Sequence, residues 1–193
     1  MLSIKSPSRA AIKTFLQKNE TGVFSYPEVG FSKSNDRVAG YDNDLNRAYL
    51  GKGEAVFKAA CGAIRQWKMF PGGWVSIRPE NAPIEVGQTV AMIAKVMGLY
   101  WLNSCRIVYI LEEDKPVRRF GFAYGTLGQH VEKGEERFSV EMLPDGSVWY
   151  DLRAYSKPRF WMAKVGYPIA RRYQRKFVEE SKLAMQRAVK EGE

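Results

Sequence analysis

The chain is expected to be an α+β protein of helix-grip type, with a curved antiparallel sheet of about seven strands wrapped around a long C-terminal helix and an N-terminal helical extension. Three observations predict this. Apolar residues recur with a period of two from residue 74 to 156, the mark of half-buried strands. Turn residues cut that stretch into short segments, as in a meander. After Gly166-Tyr167-Pro168 an uninterrupted helical pattern then runs to about Lys190.

The elements follow in order. Residues 8–19 set Ile12, Phe15 and Leu16 on one helical stripe, and Ser8 supplies a capping hydroxyl. Residues 22–44 hold glycines, Pro27, serines and an Asp/Asn-rich run, which suits an ordered connector. Leu45–Leu50 is a short strand. Gly51 and Gly53 punctuate the entry to a helix from Glu54 to about Trp67, whose apolar side is formed by Ala55, Ala59, Ala60, Ala63, Ile64 and Trp67.

The strand segments are 74–78, 88–97, 99–112, 118–126, 134–143 and 147–156. The last two form a hairpin, because Pro144, Asp145 and Gly146 provide a preset φ, a local side-chain acceptor and a permissive backbone. Alternation puts Glu136, Phe138, Val140 and Met142 on one face with Val148, Tyr150, Leu152 and Ala154, and Arg137, Glu141, Asp151 and Arg153 on the other. The last helix, on the order of 34 Å long, crosses a whole small domain. Its stripe of Ile169, Tyr173, Phe177, Ala184 and Ala188 tapers from bulky to small. Closed-barrel arrangements of the same elements stay open.

At 193 residues and 45% apolar content the chain fits one domain, with residues 1–44 as helix and connector and 45–193 as the helix-grip core. No apolar run spans a bilayer and no secretory pattern opens the chain, so a cytoplasmic location is expected. Cys61 and Cys105 read as buried thiols. One histidine excludes a histidine-rich metal site, and neither metal nor cofactor is expected. The net charge of +9 gathers on the last helix at Arg171, Arg172, Arg175, Lys176, Lys182, Arg187 and Lys190. A solvated face is the simpler account; peripheral contact with anionic membrane, or less readily with nucleic acid, is the alternative.

The chemistry-bearing stretch is Phe120–Phe138, where an aromatic run meets the one histidine and a group of glutamates. His130 beside Glu132, Glu135 or Glu136 would make an acid-oriented base. Glu135 and Glu136 point to opposite faces of a strand, and alternation with Phe138 selects Glu136 for any cavity. Tyr124 shares a face with Phe120 and Phe122. Trp101, Asn103 and Tyr109 fall on one face of the central strand, mixing aromatic bodies with polar tips. Tyr150 and Tyr173 complete the candidate ligand-binding set. The alternatives are core packing for the aromatics, and for the motif an exposed turn capped by His130, with the glutamates paired to Arg137 and Lys133. Gly125 and Gly128 lie between strands, which removes a phosphate-loop reading.

The run Phe122, Ala123, Tyr124, Gly125, Thr126, Leu127, then His130, Glu132, Gly134, Glu135, Glu136 and Phe138 resembles the signature of the domain-of-unknown-function 1990 family. SYPEVG at 25–30, LGKGEAVFKAA at 50–60, NSCRIVYI at 103–110, AYSKP at 154–158 and GYPIARRYQRKF at 166–177 are similar to its other landmarks, so the likeness covers nearly the whole chain. Gly128 departs from it, standing where a proline is expected. The resemblance implies a START-like helix-grip layout with an apolar-ligand pocket, and it implies no catalytic residue. Three function classes stay open: a binder of an apolar or amphipathic small molecule held between sheet and last helix, a small hydrolase, isomerase or cyclase using His130 with a glutamate, or a protein that binds nucleic acid or anionic membrane through the basic C-terminal helix. The oligomeric state is not written in the sequence.

Overall fold

Helix α1 (Arg9–Asn19) starts where Ser8 accepts a hydrogen bond from the Ala11 amide, and it buries Ile12 and Phe15. These positions come from a computed structural model describing residues 1–34, 36–128, 130–159 and 166–192. A two-residue strand β1 (Leu2–Ser3) precedes α1, and a single 3-10 turn (Phe31–Lys33) lies inside the connector. Strand β2 (Asp42–Lys52) begins three residues before the apolar Leu45, because backbone pairing with the last strand continues past the side-chain pattern.

Helix α2 (Glu54–Arg65) is short of the expected Trp67, which lies beyond the helix at a positive φ of 56°. Its buried face is Val56, Phe57, Ala60, Cys61, Ala63 and Ile64. Ala55 is exposed, a correction that arises because Val56 and Phe57 turn the stripe by one position. The meander follows as β3 (Val75–Arg78), β4 (Thr89–Val96), β5 (Leu99–Glu113), β6 (Arg118–Thr126), β7 (Glu132–Met142) and β8 (Ser147–Pro158), and helix α3 (Tyr167–Glu191) closes the chain.

The strands form one sheet in the order β2-β8-β7-β6-β5-β4-β3, with β1 added beside β5. All pairings are antiparallel. The fold is an α+β helix-grip arrangement, with the curved antiparallel sheet packed against the C-terminal helix. The predicted β7–β8 hairpin is present: Met142 faces Val148, and Gly146 takes the left-handed φ of 81° that its turn demands.

The inner face carries Cys105, Ile107, Phe122, Phe138, Val140, Tyr150 and Leu152 against α2 and against Met185 and Val189 of α3. Each large apolar side chain fully buried there contributes about 1.5–3 kcal/mol. On α3 the buried line is Ser181, Ala184, Met185 and Val189, whereas Ile169 is exposed. Of the predicted stripe, Ala184 is buried, Phe177 and Ala188 pack on the core and Tyr173 packs on Trp74, so only Ile169 departs from it.

The outer face is covered too. Ile12 and Phe15 of α1 pack on Ala91, Ile93 and Leu102, and Tyr26, Val38 and Tyr41 of the connector pack on Tyr155. The face assigned to Arg137, Glu141, Asp151 and Arg153 is the outer one, as alternation required, yet Arg137 and Asp151 are buried and joined at 2.9 Å. The connector lies over them, and the Arg137 guanidinium donates to the Ser32 carbonyl at 2.9 Å. No helix among the described residues is long and apolar enough to cross a membrane.

Candidate functional site

Strands β6 and β7 bring Tyr124 opposite Glu136 and Phe122 opposite Phe138. All four project to the inner side, where the Tyr124 hydroxyl donates to Glu136 Oε2 at 2.7 Å. Aromatic rings wall this pair. Phe70 lies 6.4 Å from Tyr124, 5.7 Å from Phe138 and 5.2 Å from Phe177 of α3, measured between centroids, and Tyr124 lies 5.4 Å from Phe138. Phe70 and Phe177 are only partly buried, as is Glu136 itself.

Burial in this apolar surrounding pushes the Glu136 carboxyl up to about 7, more than the Tyr124 hydrogen bond lowers it, with the nearby Glu132 and Asp44 adding in the same sense. Burial likewise carries the Tyr124 phenol well above its ordinary range. The pair therefore holds a carboxyl that exchanges its proton near neutrality beside a hydroxyl that keeps its own.

A second polar group adjoins it. The Gln174 amide on α3 donates to both Glu132 oxygens at 2.7 Å. Arg171 donates to Gln174 Oε1 at 2.7 Å and forks onto Asp44 of β2 at 2.6 and 2.7 Å. Tyr167 donates to Asp42 at 2.7 Å. This chain fastens the first half of α3 to the sheet, and the bidentate arginine fixes its angle. Glu132 is shifted upward by burial, against the pull of Gln174.

The other predicted residues are placed apart. His130 is buried on the β6–β7 turn, where Nδ1 accepts from the Glu132 amide at 3.0 Å, and burial pushes its pKa down to about 4. It is a neutral imidazole that closes the turn, and among the described residues no glutamate carboxylate is bonded to it. The exposed-turn alternative is corrected for the same reason.

Glu135 faces outward. One of its oxygens accepts from the Tyr26 hydroxyl and the Gly30 amide, each at 2.8 Å, and the other from the Ser32 amide at 3.1 Å and the Ser32 hydroxyl. Neither Arg137 nor Lys133 is its partner. Tyr109 also lies on the outer side, 2.7 Å from the Ser32 hydroxyl. A β-bulge between Ile107 and Tyr109 reverses the alternation there, which separates Tyr109 from Trp101 and Asn103.

Asn103 is buried and accepts from the Val131 amide at 3.4 Å. Trp101 is half-buried and paired with Leu2 of β1. Tyr150 is buried within 2.9 Å of the Ser181 hydroxyl, and Tyr173 stacks on Trp74 at 5.3 Å. Sequence reasoning missed Phe70 and Asp44 as neighbours of the pair, and Arg171 and Gln174 as members of the polar group that adjoins it. Gln174, set between Tyr173 and Phe177 on α3, was the one available signal.

Among the described residues no group of His, Cys, Asp and Glu has metal-binding geometry. An open cleft of about 600 Å³ lies elsewhere, on the outer side, lined by Ile12, Leu16, Arg78 and Thr89 among others and by none of the residues above.

A family model described as a domain of unknown function (DUF1990) matches residues 25–184. The chain is 34% identical to a UPF0548 protein of Dictyostelium discoideum, over 98% of this chain and 96% of that one. It is 30% identical to a UPF0548 protein of Deinococcus radiodurans, over 91% and 92%. Among solved structures it is similar in fold to a hypothetical protein of Helicobacter pylori, with a TM-score of 0.51, 11% identity, and coverage of 86% of this chain and 97% of that one.

Proposed function

Because the chain belongs to the DUF1990 family, whose description names no activity, we propose its function from its own residues: it binds an amphipathic small molecule between the inner face of the sheet and α3. The observation that carries this is the Tyr124–Glu136 pair, a hydrogen-bonded polar tip set among Phe70, Phe138 and Phe177. Apolar walls with a few convergent polar atoms are what orienting a ligand requires. The polar end is rich in acceptors, with Glu132, Glu136 and Asp44 beside the Arg171 guanidinium. The ligand's polar end therefore donates hydrogen bonds.

Native mass spectrometry of detergent-free protein, followed by denaturing extraction, tests this reading. A stoichiometric apolar adduct whose retention falls about tenfold or more in Glu136→Gln or Tyr124→Phe supports it, in line with a lost charge-assisted hydrogen bond. An adduct retained equally by both variants would place the ligand elsewhere. An unshifted mass across lipid and isoprenoid mixtures would remove the proposal.

One observation favours a second reading. A carboxyl near 7 is suited to proton transfer at neutral pH, so a hydrolase, isomerase or cyclase would use Glu136 with Tyr124 and not His130. Turnover of a released ligand that follows a single ionisation near 7 and vanishes in Glu136→Gln would select this reading over simple binding.

A further inference from the structure

Large apolar side chains stand exposed at the end of the sheet where α3 begins, among them Leu2 at 52%, Ile4 at 82%, Met97 at 71% and Ile169 at 44%. Met97 is in the tight β4–β5 turn, held at a φ of 51° and followed by Gly98. Leu2 pairs with Trp101 and Ser3 with Tyr100 at the root of that hairpin. Lys95 carries its ammonium over the Tyr100 ring at 5.4 Å, and its amide donates to the Trp74 carbonyl at 2.6 Å. Trp74 in turn stacks on Tyr173 at 5.3 Å and lies under the Lys176 ammonium at 5.0 Å. Ile169 is one helical turn before Tyr173. The contacts thus run unbroken from β1 through the hairpin to the first turns of α3.

The outward segments of this rim carry cations, while its acids Asp42, Asp44 and Glu132 are each taken up by a side chain of α3. Segments 1–9, 92–101 and 166–176 contain no aspartate or glutamate, and they carry Lys5, Arg9, Lys95, Arg171, Arg172, Arg175 and Lys176. Arg171 is taken up by Asp44, and the neighbouring acid Glu180 is held by Trp74 at 2.6 Å and by Lys176 at 3.7 Å. A single exposed apolar side chain needs no explanation. Apolar tips interleaved with Trp, Tyr and unopposed cations are the arrangement that settles into an anionic lipid interface. Nucleic acid would engage the cations but would leave Ile4 and Met97 without a role.

We propose that this end of the molecule, formed by β1, the β4–β5 turn and the outward side of the start of α3, docks on an anionic membrane surface, with Ile4 and Met97 inserted and Arg172 and Arg175 on the headgroups. This docking does not depend on what the inner face binds.

Co-sedimentation with vesicles tests it, comparing phosphatidylcholine alone with phosphatidylcholine containing phosphatidylserine. The protein is expected to partition onto the anionic vesicles only, and added salt weakens that partition. Arg172→Glu with Arg175→Glu should weaken it about 30-fold or more, from about 1 kcal/mol for each cation lost at the surface. Ile4→Ser with Met97→Asn keeps every charge, and asparagine tolerates the left-handed turn; this pair should weaken partition about tenfold. Thermal unfolding verifies that each variant is folded, and if one pair is not, the other carries the test. Equal partition onto neutral vesicles, no partition onto anionic ones, or no effect of a folded apolar pair would overturn the proposal. Oligonucleotide binding without vesicle binding would overturn it in favour of a nucleic-acid surface.

Discussion

Glu136 and His130 lie close together in sequence and titrate in opposite senses. Glu136 has a folded pKa of about 7 against an ordinary 4.5, so its contribution to stability is whole below about pH 4.5 and is lost as pH rises through 7. His130 has a folded pKa of about 4 against an ordinary 6.5; its contribution is whole above about pH 6.5 and is lost as pH falls through 4. Each is worth up to about 3 kcal/mol across its window, with less for the partly exposed Glu136. Between about pH 4.5 and 6.5 the two slopes therefore oppose one another. Urea unfolding at a series of pH values should give a shallow profile for the native chain. Glu136→Gln removes one slope, so its stability should rise with pH over that window. A profile unchanged by the substitution would mean that Glu136 is ionised throughout.

The connector from Ser25 to Ser34 behaves as a strap, and Glu135 is its anchor. Glu135→Ala leaves the Tyr26 hydroxyl, the Gly30 and Ser32 amides and the Ser32 hydroxyl without their acceptor. A destabilisation of about 3 kcal/mol or more is expected, with the Gly30 and Ser32 amides becoming the fastest to gain exchange in hydrogen-exchange measurements. If exchange rose uniformly over the sheet instead, the strap would not be a separate unit. Gly125 belongs to the same device. A Cβ there would collide with the Tyr26 ring, so Gly125→Ala should loosen the strap and shift the same amides. The glycine lies within β6 and is required by this close approach, not by the turn that follows.

Helix α3 is held at two places by different physics. Its second half is docked by burial of Met185 and Val189 and by the contact between the Ser181 and Tyr150 hydroxyls. Its first half is fastened by Arg171, Gln174, Asp44 and Glu132, at half-buried positions. Met185→Ala should cost about 2–5 kcal/mol of global stability in chemical denaturation. Arg171→Met should cost less globally but raise hydrogen exchange selectively in the first turns of α3, because the pinned half carries few buried apolar contacts. The opposite ranking would mean that the polar fastening, and not the apolar dock, holds the helix on the sheet.

Element type and order were legible in the residues, because period and turn chemistry are local. Ser8, the Pro144–Gly146 turn and the alternation of Phe138, Val140, Tyr150 and Leu152 each act through neighbours along the chain or directly across a hairpin. Phe120–Phe138 was marked as chemically dense for the same reason, and Glu136 was correctly assigned to the inner face beside Tyr124. What each ionisable group meets was not legible. Glu135 is bound by Tyr26 and Ser32 from more than a hundred residues away. The bulge after Ile107 reverses Tyr109 without any mark in composition. Asp44 comes near Glu136, and Gln174 reaches Glu132, only when β2 and α3 close on the sheet. Local patterns decide which way a backbone points, whereas partners, burial and hence proton affinity depend on segments that only long-range packing brings together.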